Sequence, residues 1–265
     1  MQYRHVQTID GKGSLRGIAI DGHGQLYAAG DSEIKLFDAA GRFTRRWPTT
    51  RPAHAVAVAR DGAVYAGEIG QIEIFDGAGK LLNTWRDEKL LGRVTAIGFI
   101  KDGVLAGDAA DRAIRRFDRN GKFLNNIGKD NPVNGLLIPN GVVDFAVDAQ
   151  GAIHAANPGK HRVERYTYTG QLLGHIGRFD GIDPAGFSGC CNPTNVAVRD
   201  RIYTTEKAGP RVKVYDFSGQ LLAVIATQPF HPNCKNMSIA VDSRNRVHVV
   251  DTERQAILVF EPVTA

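Results

Sequence analysis

Long apolar runs are missing from this 265-residue chain, and no stretch approaches the roughly eighteen consecutive hydrophobic residues of a spanning helix. A helical membrane protein is therefore excluded. Cysteine is scarce, with three in the whole sequence, which rules out a small disulfide-stapled scaffold. Methionine and tryptophan occur twice each. No G-x-S-x-G elbow, phosphate-binding P-loop or H-E-x-x-H pair is present, so the sequence holds no complete catalytic constellation of those kinds. The first ten residues, MQYRHVQTID, lack the apolar core of a secretory leader and read as a strand. As the sequence stands the protein is expected in the cytoplasm; a leader upstream of Met1 would make it exported. Charge of one sign does not dominate either: 33 basic against 28 acidic residues leave a net +5, which permits an anionic partner without demanding one.

Glycine, by contrast, is abundant at 30 residues, and short β-branched and aromatic runs alternate with Gly, Pro, Asn and Asp. The stretch from Cys190 to Thr227 contains four such runs, NVAV, RIYTTE, RVKVYDF and QLLAVIA. The same pattern opens again at Gly17 (GIAI), Ala55 (AVAV), Ala96 (AIGF), Asp144 (DFAV) and Ser238 (SIAV), at steps of 38 to 51 residues. That spacing is close to the blade period of propellers. An aromatic marks every third strand: Phe37, Phe75, Phe117, Tyr166, Tyr215 and Phe260. Five of them are followed, four positions on, by Gly41, Gly79, Gly121, Gly170 or Gly219, where a hairpin needs positive φ. The sixth copy stops after its third strand. QYRHVQTI at the N-terminus is expected to pair with residues 256–261 and complete it.

The copies resemble NHL-repeat proteins, whose second strands, like LYAAGD or VHVVDTERQ here, end at an acidic or amide residue, and whose third strands carry RV or RI. The likeness implies an all-β fold: one NHL-type domain over residues 1–265, a six-bladed β-propeller of four-stranded antiparallel blades. FSGCCNPTNVAV, TTEKAGPRVKVY and NPGKHRVERYTYTG look like a bacterial NHL branch marked by G-C-C-N-P, from which no activity carries over.

Strand order places the first-to-second and third-to-fourth turns on one face, and these are minimal, as in DGHG, DAAG and DFSG. The other face carries three long excursions, residues 128–143, 177–194 and 228–237, and is the expected working face. Cys191 and Cys234 each stand four residues before a blade opening, Asn195 and Ser238, and Cys190 adjoins the first. With His231 they make a soft donor set for a thiolate-ligated metal ion or an iron–sulfur cluster. Two other readings stay open: inert buried thiols, and a disulfide from Cys234 to one of the pair.

A second candidate set ends the second strands: Glu68, Asp108, Asn157, Glu206 and Asp251, with Gly30 at the equivalent place in the first blade. Such acids cap their own turns, or face the axis and hold a hard cation such as calcium. Basic residues follow them: Arg112, Lys160, His161, Arg162, Lys207, Arg211 and Arg254, placed to pair with these acids. Few loop aromatics accompany them, so nucleic acid is an unfavoured partner. The zinc-binding histidines of amidating NHL lyases are matched only by His54; Arg16, Thr95, Val143, Thr194 and Met237 stand at the equivalents. Asn140, Asn192 and Asn195 match only part of the ligand set of regucalcin-like lactonases. The leading expectation is a monomeric binding or redox-accessory propeller with a cysteine site on the long-loop face, taking a protein or small-molecule ligand there. The alternatives are an NHL interaction module with structural cysteines, and a metal-dependent lactonase or lyase.

Overall fold

Each repeat folds as a twisted antiparallel sheet of four strands, and the six sheets stand as blades around an axis. The structure, a computed structural model, describes residues 1–129, 135–207, 209–225 and 229–263. Residues 130–134 and Gln228, parts of two of the long excursions, Ala226 at the end of the expected QLLAVIA strand, and Thr227 after it lie outside the described residues. The first blade runs Gly17–Ile20, Leu26–Gly30, Glu33–Phe37 and Phe43–Pro48; the fifth runs Asn195–Val198, Ile202–Glu206, Arg211–Tyr215 and Leu221–Ile225. Inner strands touch those of the next blade, and the last touches the first, which closes the ring. Pro158–Lys160 forms the one helical turn among the described residues, and none of their helices is long and apolar enough to cross a membrane.

Burial follows position in the blade. Second strands such as LYAAG and IHAAN are buried at every residue, because both faces meet neighbouring blades. The outer strand FTRRWP is exposed except for Trp47. Six apolar clusters among the described residues each join one blade to the next; Val212 and Val214 of the fifth blade, for example, meet Val249 and Phe260 of the sixth. The hairpin glycines serve this packing too. Gly79 and Gly121 sit at φ +88° and +85°, and a Cβ on either would come 2.7 Å from the ring of Trp47 or Trp85 on the preceding blade.

The sixth blade is built from both chain ends. Tyr3–Asp10 lies antiparallel to Ala256–Pro262, with Tyr3 opposite Pro262, Asp10 opposite Ala256 and a bulge between His5 and Gln7. This is the expected closure, and it covers the edge the third strand would otherwise leave open. Three strand openings differ from the sequence reading: the inner strands Phe145–Val147 and Ile239–Val241 open one residue later, and Val94–Ile100 opens two residues before Ala96. Asp144 and Ser238 instead turn their side chains to the next blade, where Asp144 Oδ2 accepts from the Val196 N–H at 2.9 Å and Ser238 Oγ from the Ile18 N–H at 3.1 Å. They satisfy inner-strand donors that have no strand partner.

Candidate functional site

The two faces differ as the turn lengths imply. On the short-turn face, Asp21, Asp38, Asp76, Asp118, Asp148, Asp216 and Asp242 each accept backbone N–H bonds from their own hairpin. On the long-loop face, residues 177–194 form a folded excursion. The Phe187 N–H donates to the Arg178 carbonyl at 2.8 Å, and the Phe187 ring is fully buried against Tyr215. From the blade beneath, Tyr215 Oη donates to the Ala185 carbonyl at 3.1 Å and Lys213 Nζ to that of Gly186. Asn192 then clamps the end of the loop: its Nδ2 donates to the carbonyls of Ser188 (2.7 Å) and Lys207 (3.1 Å), and its Oδ1 accepts from the Lys207 N–H at 2.9 Å.

The clamp displays two of the three thiols. Cys190 Sγ and Cys191 Sγ lie 3.2 Å apart; Cys190 is exposed and Cys191 is buried. The Cys191 contact and the nearby Lys207 ammonium pull the Cys190 thiol below its ordinary pKa, while burial pushes Cys191 up. Cys234 is placed differently. It is 1 % exposed, shares a core cluster with Phe230 and Met237, and its Sγ lies 3.8 Å from the Val250 carbonyl and 3.6 Å from Thr252 Oγ1. His231 is held by its own turn: Nδ1 accepts from the Asn233 N–H at 3.2 Å. The structure thus brings Cys190 and Cys191 together; Cys234 and His231 find partners elsewhere. Among the described residues no three His, Cys, Asp or Glu side chains are grouped as a metal site.

The residues ending the second strands are all buried, and each is occupied. Asp108 lies 3.1 Å from Arg115 and accepts from the Arg93 and Ala110 N–H groups; Asn157 joins Leu137, Gly135 and Glu164. Glu206 meets Arg211 (2.8 Å) and Lys213 (2.6 Å). Asp251 accepts from the His231, Glu253 and Arg254 N–H groups. Glu68 Oε2 accepts from Gln71 Nε2 at 2.6 Å, and burial and Glu73 push its carboxyl up to about 8. Of the basic residues expected to pair with these acids, Arg211 reaches Glu206 and Arg254 lies 3.8 Å from Asp251. Sequence reasoning missed the partners on the third strands, Arg115 for Asp108, Glu164 for Asn157 and Lys213 for Glu206; they stand two before the third-strand aromatic, where the other blades have Lys35, Glu73 and Leu258, and all six positions are buried. The same period that marks the aromatics carries them.

Residues at or near the starts of the inner strands meet at the mouth of the axial channel. Arg16, His54, Thr95, Asn140 and Asn195 line one cavity of about 380 Å³, together with Arg93, Lys235 and Asn236, which no motif announced. Thr194 and Met237, at equivalent sequence positions, are fully buried. Arg16 Nη1 donates to His54 Nδ1 at 2.8 Å, and burial with the Arg16 and Arg93 charges holds His54 down at about 4. His54 is therefore neutral, with its proton on Nε2.

No family model matches the sequence, and no curated protein does. Solved structures do match in shape. Streptogramin B lyase superposes with a TM-score of 0.67 at 12 % identity, covering 98 % of this chain and 97 % of that one. Selenomethionine-substituted virginiamycin B lyase from Staphylococcus aureus gives 0.65 at 12 %, covering 99 % and 100 %. The WD40 β-propeller domain of Doa1 gives 0.64 at 16 %, covering 94 % and 79 %. At such identities the likeness establishes the β-propeller fold and no activity.

Proposed function

We propose that this chain is an NHL-type binding propeller with a redox-accessory site, the Cys190–Cys191 dithiol on its long-loop face. The supporting observation is the 3.2 Å approach of the two sulfurs on a clamped loop, with Lys207 beside them. The NHL assignment is supported by the repeated acidic strand ends and the RV pairs that follow them, as at Glu206 and Arg211.

The chemistry is thiol–disulfide exchange with a small dialkyl disulfide. Cys190, exposed and the more acidic, attacks one sulfur of the disulfide as thiolate; that S–S bond breaks and one alkylthiolate leaves. Cys191 loses its proton to solvent and attacks Cys190 Sγ, forming the Cys190–Cys191 bond and expelling the second alkylthiolate. The protein gives up two electrons and two protons, and the disulfide becomes two thiols. Consecutive Cα atoms lie about 3.8 Å apart, inside the roughly 4.4 Å lower limit of relaxed disulfides, so the bridge is easily reduced again.

The same sulfurs are the proposed ligands of a soft metal ion or cluster, with Cys234 and His231 completing the set only if they move toward the pair. Intact-mass analysis after incubation with oxidised glutathione tests the exchange. The expected result is an internal disulfide in the native protein and in Cys234→Ser, and a trapped glutathione adduct in Cys191→Ser. Unreactive native protein that reacts only in denaturant would overturn it. Metal content that survives Cys190→Ser and Cys191→Ser would sink the soft-metal reading.

A further inference from the structure

The mouth of the axial channel gathers cations without carboxylates. In the blades, the fully buried cations face carboxylates, as Arg115 faces Asp108 and Lys213 faces Glu206. Among the described residues around the mouth, Arg16 bonds only His54, Arg93 gives its guanidinium only to the Gly141 carbonyl (2.7 Å), and Lys235 has no ion pair. The lining residues include no carboxylate. Three cations gathered round one concavity without a counter-ion favour an anion from solution.

Amides and hydroxyls complete the wall. Asn195 lines the cavity at 5 % exposure, and its Oδ1 is buried with no hydrogen-bond partner among the described residues, so a ligand hydroxyl seated against Asn195 would meet an unused acceptor. The volume, about 380 Å³, falls at the lower end of the roughly 300–1,000 Å³ usual for small-molecule pockets.

We propose that the channel mouth is a binding site for a small hydroxylated organic anion, a carboxylate or phosphate ester, held by Arg16, Arg93 and Lys235 with Asn195 and His54 reading its hydroxyls. The site is separate from the dithiol and does not depend on it. The charges of Arg16 and Arg93 act on His54, Lys235 lines the same cavity, and Asp144 lines the channel beside the inner strands. A bound anion offsets the two guanidinium charges and raises the His54 pKa, so affinity climbs as pH falls. Asp144, which burial pushes up to about 7, loses its charge over the same fall and acts in the same direction.

Calorimetric titration of the full chain with gluconate and with glucose 6-phosphate tests the site, glucose and sulfate serving as controls. One of the two anions is expected to bind, and which one does assigns the headgroup. Arg16→Gln and Arg93→Gln should each weaken it roughly tenfold, as loss of a charge-assisted bond predicts. The His54 ring resonances should titrate at higher pH with the anion present, a readout that needs no variant. Cys190→Ser should leave binding unchanged, so that this site and the dithiol fail separately. Glucose binding as well as either anion, or no binding by any of them at millimolar concentration, would overturn the proposal. Equal binding of sulfate, or anion binding that neither arginine variant weakens, would mean an adventitious ion only.

Discussion

The second and fifth blades solve one structural problem with opposite charges. In the fifth, Glu206 at the end of the second strand meets Lys213 on the third, with Arg211 closing the other side. At the same two places the second blade has Glu68 and Glu73, two carboxyls and no cation between them. Thr50 donates to Glu73 from its N–H (3.0 Å) and its hydroxyl, Gln71 donates to Glu68, and burial beside Glu73 keeps the Glu68 proton in place. The third blade uses Asp108 with Arg115, and the fourth Asn157 with Glu164. What each of these four blades has is a buried polar bridge between the ends of two strands. Its sign is free. Acids in this ring therefore mark a place in the fold before they mark a cation.

One substitution made in both blades breaks the comparison most sharply. Glu206→Gln leaves Lys213 and Arg211 side by side without their anion, and removal of one partner from a buried pair costs about 3–5 kcal/mol. Glu68→Gln leaves a neutral group where the folded protein already holds a proton, and is expected to cost little at pH 5. Equilibrium urea unfolding of the two variants checks this. Equal losses in both would mean that the bridges depend on charge after all.

The pH dependence sharpens the contrast. The Glu68 carboxyl ionises at about 8 when folded against 4.5 unfolded, so between these values the native state keeps a proton that the unfolded chain has released. Its contribution is whole below pH 4.5 and is lost as pH rises through 8, at no more than about 1.4 kcal/mol per pH unit. Glu68→Gln should abolish that slope and become the more stable protein at pH 8. Asp144 titrates in the same direction in both proteins, so the difference between their unfolding curves at pH 5 and pH 8 belongs to Glu68. An unchanged difference between those two conditions refutes the account of a proton held on Glu68.

The fold was legible because its signals are periodic. Phe37, Phe75, Phe117, Tyr166, Tyr215 and Phe260 recur with their glycines, and the missing outer strand of the last copy pointed to residues near the N-terminus. The Cys190–Cys191 contact was legible as adjacency in the chain. Convergence with Cys234 was not, because an offset of four residues from a strand does not say which way a loop turns. Here Cys234 turns into the core between Phe230 and Met237, while His231 closes its own turn. The cations at the channel mouth were harder still: Arg16 and Arg93 immediately precede their inner strands while Lys235 stands four residues before its own, and the three meet only once the ring has closed.

The smallest expected effect is on calcium. A hard-cation site needs several carboxylate or carbonyl oxygens free to converge on one point. Asp108 and Glu206 spend theirs on arginine or lysine, Asp251 on three backbone N–H groups, and Asn157 on Leu137, Gly135 and Glu164. Glu68 has one oxygen without a hydrogen bond, but its carboxyl holds a proton that a cation would have to displace. Millimolar calcium should therefore leave the melting temperature of the wild type unchanged at pH 7. The place to look for an exception is the second blade at pH 8, where Glu68 begins to ionise beside Glu73 and adds its own negative charge to the pair. A calcium-dependent rise in melting temperature at pH 8 that Glu68→Gln abolishes would restore a metal role to that one pair. A rise at pH 7 that survives Glu68→Gln would restore it to the ring as a whole.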